Sequence, residues 1–269
     1  MSIRFDQVTK AFGPKTVLKN VSFQVEKGEI LFILGKSGMG KSVTLKHIVG
    51  ILKPDAGRVF VENNDVTQLD ANELAQIRRM CGMVFQHPAL LDSLTILDNV
   101  SFGLRTPQYL LTLPRPLTEK EIREKVAEKL ALVHLGTDIL DHYPPEISYG
   151  MQKRVSLART LAPDPKFLLF DEPTTGLDPI TTNAVNDLIF DLSRKLNVTS
   201  VVVSHDMSCA LKIADRILVL DQAKILAHGT VSQIKNSEEI LIQEFLAETL
   251  GLLDPDEGNV LKPVRSIAR

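Results

Sequence analysis

The segment Gly35-Lys36-Ser37-Gly38-Met39-Gly40-Lys41-Ser42 constrains this chain more than any other. It satisfies the pattern G-x-x-x-x-G-K-S. It lies between an apolar run, Glu29 to Leu34, and a stretch from Lys41 to Val49 that reads as a helix ended by Gly50. Glycines at 35, 38 and 40 let the backbone bend until several N–H groups face inward. Those groups, with the helix start behind them, suit phosphate oxygens. In such a cradle Lys41 reaches the β- and γ-phosphates of a nucleotide, and Ser42 places its hydroxyl on Mg2+.

A second apolar strand, Phe167 to Phe170, delivers two acids, Asp171 and Glu172, at its carboxyl end. Open parallel sheets place their ligands at that end. Asp171 is expected to hold Mg2+, directly or through water. Glu172 is expected to point onward, to where an attacking water sits. The two motifs together point to nucleotide hydrolysis.

The remaining chain reads as alternating elements. Short strands separated by Gly13-Pro14 and Lys27-Gly28 fill residues 3–34, and a hairpin surrounds Pro54 to Gly57. Thr118-Glu119-Lys120-Glu121 is a capping-box pattern before a helix with Ile122, Val126, Leu130 and Val133 at helical spacing. Leu104 to Leu117, rich in proline and apolar residues, reads as a loop that is buried or touches a partner. A helix is expected from Ser148 to about Leu161, and another after the Asp178-Pro179 start. Val201–Val203 and Ile217–Leu220 read as strands. Strands alternating with helices indicate an α/β chain with a largely parallel sheet. Residues 236–252 read as an amphipathic helix, followed by a polar tail.

Charge narrows the partners. Lys and Arg number 31 and Asp and Glu 33, a formal net charge of -2, so no nucleic-acid partner is expected. Cys81 and Cys209 form no CxxC pair, which disfavours a disulfide framework or a zinc site. No apolar run reaches the length of a bilayer span. Contact with a membrane is therefore expected to run through a partner.

Further motifs carry a resemblance. Ile147 to Arg154 (ISYGMQKR), Gln86 in VFQHP, Gly176 to Pro179 (GLDP) and Ser204 to Asp206 (SHD) follow one another in the order seen in ABC transporter ATPases, which this chain resembles over almost its whole length. The resemblance implies a P-loop NTPase of the ABC ATPase fold: a RecA-like core, an N-terminal antiparallel β-subdomain and an inserted α-helical subdomain. It implies an ATPase domain over residues 1–235, with the helical subdomain at about 88–163, and a C-terminal helical extension and tail over 236–269. It implies ATP and Mg2+, with Gly35, Lys36, Ser37, Gly38, Met39, Gly40, Lys41 and Ser42 around the phosphates. Ser42, Gln86 and Asp171 would serve the metal, and Glu172, His205 and Gln86 the catalysis. It also implies a head-to-tail dimer with a second copy of the chain. Ser148 and Gly150 would there contact the γ-phosphate bound by the other protomer, and Asp178 would contact that protomer. Phe12 matches the aromatic that stacks on adenine. The partner would be an integral-membrane permease, with this chain at the cytoplasmic face of the inner membrane.

Two positions depart from that pattern. The family signature has two glycines after serine, and here the first is Tyr149; a positive φ at that residue would add strain. Met151 replaces a common glutamine. Gly150-Met151, Asp178 to Thr181 (DPIT) and Gly35 to Gly57 resemble the ATPases of lipid-transport systems that work with Mce-domain proteins, which would make the cargo phospholipid. An ATPase of another importer, for instance for amino acids, and a slow or degenerate nucleotide-gated subunit are the alternatives. Phe245, Leu246 and Leu250 are expected either to close this chain's own core or to reach the second ATPase.

Overall fold

The computed structural model describes residues 2–249. β1 (Ile3–Phe12) and β2 (Lys15–Val25) form one long antiparallel hairpin about the Gly13-Pro14 turn. They are longer than the short strands expected, because register shifts between Phe5 and Ala11 carry the pairing through polar residues that interrupt the apolar alternation. Phe5 and Phe23 stack at 4.5 Å between ring centroids and anchor the inner face of the hairpin. β3 (Ile30–Leu34) is buried throughout and leads through the glycine loop into α1 (Lys41–Ile48). β4 (Ala56–Val61) and β5 (Asn64–Asp65) complete a four-stranded antiparallel sheet in the order β2-β1-β4-β5.

α2 (Ala71–Met80) was not anticipated, although Asp70-x-x-Glu73 spells its start. The Asp70 carboxylate accepts from the Asn72 and Glu73 N–H groups, and Glu73 accepts from the Asp70 N–H. After β6 (Cys81–Val84) come α3 (Ile96–Ser101), a 3-10 turn at Phe102–Arg105, α4 (Pro107–Leu110), α5 (Glu119–Leu132) and α6 (Tyr149–Leu161). The expected capping box at Thr118 and Glu121 opens α5. The 104–117 segment, expected to be a loop, contains α4, whose Thr106 cap and Pro107 start it as a helix. It is partly buried, with Tyr109 in the core and Leu113 and Leu117 packed on it, while Leu111 is 87% exposed.

The second half alternates as expected: β7 (Phe167–Asp171), α7 (Pro179–Lys195), β8 (Thr199–Ser204), α8 (Met207–Ile213), β9 (Arg216–Asp221), β10 (Lys224–Thr230), α9 (Val231–Lys235) and α10 (Ile240–Thr249). The six-stranded sheet runs β10-β9-β3-β8-β7-β6, parallel from β9 to β6, with β10 antiparallel at the edge.

Side chains alternate across this sheet and feed two cores. Leu31, Ile33, Leu169 and Val203 face α1 and the antiparallel sheet, against Leu45, Ile48, Phe5 and Val59. Ile30, Phe32, Phe170 and Val202 face the helices, against Val155, Leu188, Ile189 and Met207. α10 starts at Ile240 rather than 236. Its Ile242 and Leu246 are buried in this chain's own core beside α8 and α9. Leu250 and the polar tail, for which contact with a second ATPase was one expectation, lie outside the described residues.

Candidate functional site

Three strand ends converge. β3 delivers the glycine loop, β7 delivers Asp171 and Glu172, and β8 delivers Ser204 and His205. β8 lies between β3 and β7, so the three motifs share one edge of the sheet. The cleft they form has a volume of about 880 Å3.

The loop needs glycine where it is pressed hardest. Gly40 has φ +91°, and a Cβ there would lie 2.6 Å from the Val17 carbonyl oxygen. A Cβ on Gly35 would lie 2.5 Å from the Leu220 carbonyl oxygen. The loop is therefore wedged between β2 and β9 and held to one path. No side chain caps α1. Its first N–H groups remain directed at the cleft, where an anion satisfies them.

The charged groups form a short chain. The buried Lys41 ammonium donates to the Gly35 carbonyl at 2.7 Å and the Lys36 carbonyl at 3.2 Å, and lies 3.2 Å from Glu172 Oε1. Glu172 Oε2 accepts from the Thr175 hydroxyl at 3.1 Å and from His205 Nδ1 at 2.8 Å. Instead of pointing free into the cleft, Glu172 joins Lys41 to His205. Glu172 itself sits at φ +51°, an uncommon conformation for a side-chain-bearing residue, fixed by its N–H donating to the Val203 carbonyl at 3.0 Å. The Ser42 hydroxyl donates to Asp171 Oδ1 at 2.6 Å, and Gln86 lines the same cleft. A hydroxyl, a carboxylate and a side-chain amide are the oxygen donors a hard divalent cation takes, so the set fits Mg2+.

The cleft gathers Lys36, Ser37, Gly38, Gly40, Lys41, Ser42, Gln86, Asp171, Glu172 and His205. Gly35 and Met39 belong to the loop without lining the cleft. Four further candidates stand apart from it. Phe12 is 47% exposed at the end of β1, with the Lys10 ammonium 5.6 Å from its ring. Ser148 is the N-cap of α6, its hydroxyl accepting from the Met151 N–H. Gly150 has open space around its Cα. Asp178 caps α7, and the Thr181 hydroxyl with the Thr181 and Ile180 N–H groups holds its carboxyl below the usual range. Within one chain Asp178 is thus satisfied locally. Tyr149 is the first residue of α6 and is not among the residues with positive φ, so it carries no left-handed strain.

Sequence reasoning gave no place in the cleft wall to Val17, Val43, Thr175, Met207 and Phe245, and named Asp206 only as part of the Ser204 to Asp206 motif. Thr175 lies between the Asp171-Glu172 pair and the Gly176 to Pro179 motif, a usable signal. Phe245 arrives from α10, distant in sequence, and no local pattern announces it.

The ABC transporter family model matches residues 18–175, more than half of the chain. The chain belongs to the ABC transporter family. It carries the ATP-hydrolysing fold of that family, as the resemblance implied. A probable ribonucleotide transport ATP-binding protein, mkl, of Mycobacterium tuberculosis is 37% identical over 246 residues, 91% of this chain and 66% of that protein. The chain therefore spans slightly less than two thirds of mkl. The methionine import ATP-binding protein MetN of Carboxydothermus hydrogenoformans is 39% identical over 239 residues, 88% of this chain and 68% of MetN. Among solved structures, the ATP-binding cassette MJ0796, as a dimer in a post-hydrolysis state with ADP and Pi, superposes with a TM-score of 0.75 at 33% identity, covering 85% of this chain and 98% of that one.

Proposed function

We propose that this ABC ATPase drives import through a membrane-embedded permease, hydrolysing ATP at a site completed by a second copy of the chain. The observation that carries the reading is the Lys41–Glu172–His205 chain beside the Ser42–Asp171 pair, all at one edge of the sheet.

ATP enters with its phosphates on the 35–42 loop and the start of α1. The γ-phosphate takes Lys41 from Glu172, and the freed carboxylate faces the attacking water. Glu172 accepts the proton of that water as its oxygen attacks the γ-phosphorus. The bond to the β–γ bridging oxygen breaks, leaving ADP and phosphate. His205 donates to a γ-phosphate oxygen. Ser42, Asp171 and Gln86 would hold Mg2+, which would supply positive charge against the phosphate oxygens. Phe12 stacks on adenine.

Ser148 and Gly150 stand away from this chain's cleft, at a helix start capped by Ser148 and open at Gly150, which suits a second copy's γ-phosphate. The dimeric MJ0796 supports that arrangement. ATP then forms part of the interface, and its hydrolysis reopens it. Among the described residues no helix is long and apolar enough to cross a membrane; in this proposal the permease supplies the membrane path and the chain docks on its cytoplasmic face.

The named relatives favour a small polar solute: MetN is described as a methionine importer and mkl as a probable ribonucleotide transporter. A second reading, phospholipid cargo with an Mce-domain partner, rests on Gly150-Met151 and Asp178 to Thr181, and neither relative is described in those terms. Purification of the chain from its native membrane in mild detergent, with mass spectrometry of proteins and lipids, separates the two. A permease with a solute-binding protein supports the first. A permease with an Mce-domain protein and enriched phospholipid supports the second. Recovery of neither permease would overturn both.

A further inference from the structure

Tyr149, the residue that departs from the family signature, makes a contact glycine could not. Its hydroxyl lies 3.3 Å from Nδ1 of His87, the residue after Gln86. One turn along α6, the Lys153 ammonium sits 5.5 Å from the Tyr149 ring centroid and donates to the Pro173 carbonyl at 2.9 Å. Pro173 follows Glu172 directly. The far end of α6 holds the same loop again: Arg159 donates to the Ala89 carbonyl at 2.8 Å and the Pro88 carbonyl at 3.4 Å. The near end is itself fixed, because Gln152 Nε2 donates to the carbonyls of Pro144 and Ile147 at 2.9 and 3.2 Å. One helix thus grips the backbone beside Gln86 and the backbone beside Glu172.

We propose that Tyr149 and Lys153 are positioning residues for ATP hydrolysis: through them α6 fixes the Gln86 loop and the Glu172 strand end relative to each other. Neither side chain lines the cleft, so neither is needed for nucleotide to bind. Both act on where two cleft residues stand. A misplacement of about 1 Å in such groups is felt in the chemical step rather than in binding. Phenylalanine at 149 keeps the ring under Lys153 and deletes only the hydroxyl. Methionine at 153 keeps the stem and deletes the donor, and arginine keeps a donor.

The test is steady-state ATP hydrolysis by the full chain carrying Tyr149→Phe, Lys153→Met, both, or Lys153→Arg, with melting temperatures recorded alongside. The expected result is a kcat lowered about three- to tenfold in each single variant, the range set by losing one hydrogen bond, with KM for ATP within about twofold. The double variant loses less than the product of the two single losses, as coupled residues do, and Lys153→Arg recovers most of kcat. Unchanged kcat in both single variants overturns the proposal. So does a loss of kcat and ATP binding together with a lowered melting temperature, which is the pattern of a purely structural contact.

Discussion

Lys41 and Glu172 are paired across the nucleotide cleft, ammonium to carboxylate, at 3.2 Å. In the proposed mechanism the pair supplies a cation for the γ-phosphate and an acceptor for the proton of its attacking water. On that proposal a γ-phosphate would compete with Glu172 for Lys41.

Glu172→Gln separates these effects. Removing the acceptor of the water proton is expected to lower phosphate release about 10²- to 10⁴-fold, the usual worth of general-base catalysis. ATP affinity is not expected to fall, because the neutral amide competes less for Lys41. Radiolabelled phosphate release and equilibrium ATP binding on one preparation check both.

Gly40→Ala tests the wedged loop. The added Cβ meets the Val17 carbonyl at 2.6 Å from a backbone at φ +91°. A cost of about 1–3 kcal/mol is expected for such strain, seen as a lowered denaturant midpoint, together with weakened ATP binding as the loop shifts. Gly150→Ala, at a position with open space, is expected to leave stability nearly unchanged.

Ser42→Ala is expected to weaken ATP binding about tenfold in Mg2+, the worth of one strong polar contact to a charged group. In excess EDTA the variant and the unaltered chain should bind ATP alike. Titration calorimetry under the two conditions distinguishes a metal role from simple phosphate contact.

The edge strand β10 carries an acid-sensitive contact. Arg216 donates to His228 Nε2 at 2.6 Å, and burial with the Arg216 charge pushes the His228 pKa down to about 4. An unfolded histidine titrates near 6.5. Between these values the unfolded chain binds the extra proton, so stability falls as pH drops from about 6.5 towards 4. His228→Gln is expected to flatten that limb in urea melts at pH 7 and pH 5.

The sequence carried the chemistry of this site further than its packing. Gly35 to Ser42, Asp171 and Glu172 were legible because phosphate and water chemistry demands those residue types at strand ends, whereas His205 was legible only through the resemblance of Ser204 to Asp206 to a family motif. The α/β alternation was legible from apolar runs of strand length. The Glu172 link to both Lys41 and His205 was not, since it joins three loops distant in sequence. Nor was the contact of Tyr149 with His87: a tyrosine in the signature read only as a source of backbone strain, until the fold set α6 against the Gln86 loop. Phe245 was hidden for the same reason, its place depending on how α10 crosses α8. α2 was legible at Asp70 and Glu73 and was overlooked.

The most direct test of the account is phosphate release by the full chain in Mg2+ and ATP, followed over a wide range of chain concentration. A site completed by Ser148 and Gly150 of a second copy predicts a rate that rises more steeply than linearly while dimers form, and that collapses on Glu172→Gln. A rate strictly proportional to concentration would contradict the shared site, and no release above that of Glu172→Gln at any concentration would contradict hydrolysis at this cleft.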